Sequence, residues 1–365
     1  MDREEIFEKT LRKFLSPVNQ FLDDPTVTEV MINGTDEVYV ERGGQIELTE
    51  VSFDDEEYLL SVARNIAQYT NKRITNLTAR LDSRLPGGSR VHIVMPRCSR
   101  KGLCISIRKF LSHSFSLEGM VESGMLGPEA KEYIEIVVDL EKNIVVSGGT
   151  GSGKTSLLNA ISCNIPSNER VLVIEDSSEL QLQQPHVLYF ETAPADRHGR
   201  GAIGIRDLFH SALRMRPDRI VIGEVRGGEA LDLIQAMTSG HGGSMSTLHA
   251  NSPYDAMHRL ETMAMLSEAE IPLKAMRNQI VSALHVVIQL SRLDSGRRVI
   301  TEVSEVAGLD ESDRYDLVPI FQRRARGEDD TAAALLWTGK RSKFGPALGQ
   351  KFLSRKAQLT KEVFL

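Results

Sequence analysis

Cysteine is scarce in this chain: three residues in 365, Cys98, Cys104 and Cys163. An odd, sparse count excludes a disulfide framework and fits a reducing compartment. There is no CxxC pair, so a four-cysteine zinc site is excluded as well. Long apolar runs are also lacking. Nothing approaches the roughly 20 residues that span a bilayer. The N-terminus, MDREEIFEKTLRKFL, is charged where a signal peptide would be apolar. The expectation is a protein on the cytoplasmic side, peripheral if it works at a membrane. A basic surplus is missing too: 44 Lys+Arg face 50 Asp+Glu, a net charge of −6. That argues against a nucleic-acid coat. The balance is uneven, because residues 322–365 hold ten basic and four acidic side chains, leaving the first 321 with 34 against 46.

What is present is globular: 41% apolar and 26% charged residues. At about 150 residues per domain the length suggests roughly two to three domains. Phe7, Leu11, Phe14 and Leu15 repeat at helical spacing. TVTEVMINGTDEVYVERGGQIELTE reads as a β-meander, with Asn33-Gly34 and Gly43-Gly44 at its turns. FDDEEYLLSVARNIAQYT is an amphipathic helix with an acidic start, and RLPGGSRVHIVMP and GLCISIRKF are further strands. Residues 1–112 thus form an α+β domain. Weak periodicity over 113–127 reads as a linker. From 128 to 325 strands alternate with helices, which means a mainly parallel sheet covered on both faces, an α/β domain. Residues 326–365 read as a basic, partly helical tail, solvated by default.

Gly148-Gly149-Thr150-Gly151-Ser152-Gly153-Lys154-Thr155 fits G-x-x-x-x-G-K-[ST], with strand NIVVS before it and helix TSLLNAIS after it. Glycines let backbone N–H groups turn inward onto phosphates, and a helix N-terminus adds partial positive charge. Lys154 would neutralise phosphate oxygens and Thr155 would reach Mg²⁺. The bland alternative is a glycine-rich turn that binds nothing. A second element is needed, an acid at a neighbouring strand end. RIVIGE supplies Glu224, a candidate acceptor for the proton of an attacking water, or else a surface residue capping a turn. No Asp ends that strand, since Asp218 precedes it. VLVIEDSSEL offers Glu175 or Asp176 for the metal or the nucleophile, although Asp176 and Glu179 also have capping-box spacing. His241 and His249 bracket the glycine-rich GGSMSTL and are candidate phosphate sensors, with satisfied structural histidines as the alternative. Arg90 and Arg108 close strands of the first domain, and Arg206, Arg214, Arg216 and Arg226 flank those of the second. For each one a surface salt bridge is the simpler reading, but phosphoryl transfer calls for a few of them.

These residues resemble the secretion (traffic) ATPases of type II and type IV secretion systems. GGTGSGKTSLLNAIS resembles the family's Walker A, VIEDSSEL its Asp box, RPDRIVIGEVRGGEA its atypical Walker B and SGHGGSMSTLHANSP its His box. TEVMING, VYVERGG, RLPGGSRV and ISIRKF are similar to the CpaF/TadA subfamily of tight-adherence and type IV pilus motors, over about residues 25–320. The resemblance implies a PAS-like N-terminal domain joined to a RecA-like P-loop NTPase domain. It implies ATP and Mg²⁺ as cofactors, a homo-hexamer, and a polytopic inner-membrane platform protein as partner. It puts nucleotide on Gly149, Thr150, Gly151, Ser152, Gly153, Lys154, Thr155 and Ser156, with Arg108, Arg90, Arg206 and Arg226. Magnesium goes to Thr155 and Glu175, the acid roles to Glu224 and Glu175, and sensing to His249 and His241. Three readings of function follow: a pilus or secretion motor, a conjugation or effector-secretion ATPase of the same superfamily, and a RecA-like nucleic-acid motor. The acidic body speaks against the last, and no stable nucleic-acid partner is expected. The chain departs from zinc-carrying relatives in lacking their four cysteines.

Overall fold

The computed structural model describes residues 3–70, 72–85, 88–109, 116–195, 199–267, 269–324, 334–349 and 356–365. The chain divides into two compact units, one of Met1–Ser114 with Asp294–Arg297, the other of Phe115–Leu293 with Arg298–Leu365.

The first unit is α+β. Helices α1 (Arg3–Phe14) and α2 (Asn19–Asp23) lead into strands β1 (Val27–Asn33), β2 (Glu37–Arg42) and β3 (Gln45–Leu48). Helix α3 (Glu56–Tyr69) follows, then β4 (Arg80–Arg84), β5 (Arg90–Val94) and β6 (Cys104–Arg108). The strands form one antiparallel sheet in the order β3-β2-β1-β6-β5-β4. Side chains alternate across it, so Val30 and Ile32, Ile105 and Ile107, and Val91 and Ile93 share one buried cluster with Leu59, Val62 and Ile66 of α3. Helix α3 starts where the sequence signals it: Asp55 accepts the Tyr58 amide at 2.7 Å, and Glu56 and Glu57 occupy the first turn.

The second unit is α/β. It begins with α4 (Leu117–Glu122) and α5 (Pro128–Asp139), then β7 (Ile144–Gly148), α6 (Lys154–Ser162), β8 (Val171–Glu175) and β9 (Val187–Glu191). Next come α7 (Ile205–Ala212), β10 (Arg219–Ile222), α8 (Glu229–Thr238), β11 (Met245–Leu248), α9 (Pro253–Met265) and α10 (Leu273–Ala283). Strands β12 (Val286–Arg292), β13 (Arg298–Leu309), β14 (Tyr315–Arg324) and β15 (Ala334–Trp337) and the short helix α11 (Lys361–Phe364) complete it. The nine strands run β15-β14-β13-β12-β7-β11-β10-β8-β9, parallel from β12 to β9 and antiparallel from β12 to β15. Every residue of β7, β8, β10 and β11 is buried, as expected of parallel strands with an apolar layer on each face.

Two segments depart from the sequence reading. Residues 117–122, read as linker, form a helix because Ser116 caps it through the Gly119 amide at 3.1 Å and Leu117 and Met120 bury one turn apart. The tail is anchored to the body where it is described. β15 pairs with β14, Glu132 accepts the Leu359 and Thr360 amides, and Phe364 stacks on Tyr133 with centroids 5.6 Å apart. Its apolar residues Val363 and Phe364 are 3% exposed, which outweighs the solvation of the basic ones beside them.

The edge of the large sheet at the start of β7, β10 and β11 is held by polar side chains. Asn143 donates to the Met237 and Ala283 carbonyls and accepts the Ser244 amide. Arg219, 1% exposed, is paired with Glu169 and donates to the Val138 carbonyl at 3.2 Å. Gly243, at φ +72°, lies over that guanidinium: a Cβ there would stand 1.7 Å from Arg219 Nη1. His285 belongs to the same edge, with Nδ1 accepting the Asn143 amide at 3.0 Å. Burial, then Lys142 and Lys343, pushes its pKa down to about 4. Between pH 6.5 and 4 the unfolded chain binds a proton at this site that the folded chain refuses, so stability falls as pH drops through that window. The expected loss is about 1–3 kcal/mol, read as a drop in urea midpoint between pH 7 and pH 4 that His285→Gln largely removes.

Candidate functional site

The sheet order brings four carboxyl-terminal strand ends side by side: β7, β11, β10 and β8. Residue 148 opens the phosphate-type loop from β7, His249 follows β11, Glu224 follows β10 and Glu175 ends β8. This is the edge where open α/β sheets bind ligands.

The loop turns through positive φ at Gly151 (+70°) and Gly153 (+95°), which non-glycine residues resist, and α6 starts directly at Lys154. Ser152, 1% exposed, donates its hydroxyl to the Gly149 carbonyl at 2.9 Å. Gly149 and Thr150 are exposed at the tip, and Thr155 and Ser156 are half-buried in the first turn of α6. Lys154 Nζ donates to the Gly149 carbonyl at 2.9 Å and lies 3.3 Å from His249 Nδ1. An ammonium only donates, so Nδ1 is the acceptor and the ring proton sits on Nε2. That nitrogen is 2.9 Å from Glu224 Oε1. Burial and then Lys154 hold the His249 pKa below its ordinary value, against the pull of Glu224. The other oxygen of Glu224 accepts from Arg226 Nη2 at 2.6 Å, and this bond raises the Arg226 pKa. Arg226 Nη1 lies 3.6 Å from Asp176. A row of close polar contacts therefore runs Lys154, His249, Glu224, Arg226, Asp176 across four strands, although Glu224 Oε1, for all its nearness to the ring, accepts no hydrogen bond.

Glu175 sits beside this row in a different state. It is 3% exposed, and Oε1 accepts the Glu179 and Leu180 amides at 2.8 and 3.1 Å. Its carboxylate folds the 176–180 segment back, and Gly223 packs on it so closely that a Cβ would stand 2.9 Å from Glu175 Cγ. Asp176 and Glu179, despite their capping-box spacing, start no helix, because Glu175 takes the amides.

The two histidines are not brought together. His241 precedes β11 and His249 follows it, so at about 3.3 Å per residue they lie at opposite ends of a strand. His241 keeps company with the Ala236 carbonyl and Ser244 at the far edge. Arg206 pairs with Asp232 at 2.9 Å, an acid it shares with His210. Arg214 and Arg216 are exposed at the end of the α7 segment. Arg90 and Arg108 are register partners on β5 and β6 of the first unit, both exposed. Sequence reasoning missed Arg292 and Arg298, which flank the loop. Their signal is the pattern Arg-x5-Arg around Asp294-Ser295-Gly296, which closes a hairpin and sets the two opposite each other.

Among the described residues no three His, Cys, Asp or Glu side chains converge as a metal site. A magnesium ion at this loop would be held mainly by phosphate and water, with the Thr155 hydroxyl as the protein ligand. A loop of inward amides, a lysine and a strand-end glutamate is a donor set fitted to a nucleoside polyphosphate and to activation of a water beside it.

The profile of the family described as type II/IV secretion system protein matches residues 12–324. A putative conjugal transfer protein of Mycobacterium tuberculosis H37Rv is 32% identical over 315 residues, 84% of this chain and 88% of that one. The type IV secretion system protein VirB11 of Brucella suis is 34% identical over 318 residues, 79% and 88% of the two chains. The solved pilus retraction motor PilT with bound ADP shares the fold at TM-score 0.58 and 19% identity, covering 85% of this chain and 82% of that one.

Glu224→Gln keeps the shape of the side chain and removes its basicity. The expected outcome is retained nucleotide affinity in a fluorescence titration with phosphate release slowed about 10²–10⁴-fold. A wild-type rate would move the base to another acid, Glu175 first.

Proposed function

The chain belongs to the type II/IV secretion system protein family, and from there we propose that it is a Mg²⁺-dependent ATPase acting as a homo-hexameric motor on a polytopic inner-membrane platform protein. The observation that carries this reading is the placement of Lys154 in the loop 3.3 Å from a histidine that in turn meets Glu224. Phosphate binding and water activation thereby share one edge of one sheet. The relatives named above are a conjugal transfer protein and VirB11, so we place the chain among secretion and conjugation motors rather than narrowing it to tight-adherence pili. No described helix is long and apolar enough to cross a membrane, so contact with one would run through a partner or the surface.

In this reading the amides of residues 151–155 and Lys154 bind the phosphates, and Thr155 holds Mg²⁺. When bound, the ion would neutralise charge building on the transferred phosphoryl group. Glu175 is assigned to holding the 176–180 segment rather than to the metal, because its buried carboxylate is spent on amides. Glu224 accepts the proton of the attacking water. Its Oε2 is held by Arg226, a side chain 64% exposed, while Oε1 accepts no hydrogen bond and is open to a proton. His249, neutral with its proton on Nε2, orients Glu224 and registers where Lys154 stands. Arg108 and Arg90 are assigned to nucleotide contact on the family resemblance alone, and His241 and Arg206 to supporting the fold.

Sizing the protein with and without ATP, beside a phosphate-release assay, tests ring, ligand and enzyme together. Lys154→Ala should abolish release and weaken nucleotide binding, and unchanged release would sink the P-loop assignment. Arg108→Ala should lower turnover about tenfold or more with unchanged unfolding, in line with the cost of losing a transition-state cation. Unchanged kinetics would mean that the N-terminal domain does not complete the site.

A further inference from the structure

Strand β12 runs parallel to β7, with Leu290 in register with Gly148. Its next residues therefore continue alongside the loop as β7 turns away, and the last of them, Arg292, is paired with Arg298 on β13. Two arginines thus share one rung beside the loop. Both are aimed at the loop. Arg298 Nε donates to the Gly151 carbonyl at 3.1 Å. A Cβ on Gly153 would stand 3.3 Å from Arg298 Cδ, and one on Gly151 would stand 3.3 Å from Arg292 Nη1. The glycines that let the loop bend also leave the space these arginines occupy.

We propose that Arg298 is a positioning residue for the nucleotide phosphates, and that Arg292 adds a second cation on the same flank of the loop. The inference rests on the P-loop reading above. The Gly151 carbonyl is one end of a peptide whose other end is the Ser152 N–H. A guanidinium on that carbonyl polarises the peptide and makes the amide a stronger donor. The Ser152 amide now points at the Gly149 carbonyl at 3.4 Å, a long contact that a phosphate oxygen would replace. Arg298 also fixes which way the peptide faces before ligand arrives.

The test is equilibrium binding of fluorescent ADP, with inorganic pyrophosphate as competitor, to the full chain and its variants, alongside thermal unfolding without ligand. Arg298→Ala should weaken both ligands about tenfold, the loss expected for one charge-assisted hydrogen bond, with little change in ligand-free unfolding. Arg298→Lys, which keeps the charge but not the fork, should recover only part of that affinity. Arg292→Ala should weaken ADP by a smaller factor and flatten its salt dependence. Unchanged ADP affinity in Arg298→Ala overturns the proposal. So does a loss of affinity matched by lowered ligand-free unfolding and fully restored by Arg298→Lys. Lys154→Ala is the control: if it too binds ADP normally, the P-loop reading has failed, whereas normal binding in Arg298→Ala alone sinks this inference only.

Discussion

The imidazole of His249, set between the Lys154 ammonium and the Glu224 carboxylate, is the contact on which the rest of the site depends. A lysine can only give a hydrogen bond, so the ring must face it with a bare nitrogen and carry its proton on the nitrogen nearer the acid. One tautomer is thereby fixed by its neighbours. The state of the phosphate-binding lysine is then felt at the acid through a single rigid ring. None of the three is adjacent in sequence; three neighbouring parallel strands, β7, β11 and β10, ending on one edge bring them together.

That edge is only as well defined as the opposite one. The starts of these buried strands are tied by side chains on and beside them. Arg219 reaches Glu169 and the Val138 carbonyl, and Asn143 links Met237, Ala283 and Ser244. Gly243 belongs to the motif that suggested phosphate sensing, yet it faces a buried guanidinium at the far end of the sheet. Its role is to leave room. The glycine-rich wording around His241 is thus a packing device, while the end of the same motif, His249, lies between Lys154 and Glu224.

Much of this was legible in the sequence. The α+β and α/β halves followed from where period-two patterning gave way to alternating strands and helices. The phosphate loop followed from a spacing that leaves little choice of backbone. Glu224 followed from an apolar run that ends in an acid. What was not legible depends on which end of a short strand a residue occupies, and on what a buried acid does with its lone pairs. His241 and His249 look symmetric about β11 until the strand direction separates them. That Glu175 would fold the next segment back by accepting the amides of 179 and 180 has no signature in the sequence. The tail looked solvated because its charges outnumber its apolar residues, but a few of those, Val363 and Phe364, decide where it lies. Arg292 and Arg298 escaped notice because a hairpin rung, not a motif, sets them beside the loop.

One consequence concerns idling. Each oxygen of Glu224 has a neighbour at rest, His249 on one side and Arg226 on the other. Only the arginine grips the acid, and it does so from an exposed position. In the motor proposed above, drawing that one guanidinium away would free the second oxygen, so idle leakage and coupled thrust would answer to the same exposed side chain.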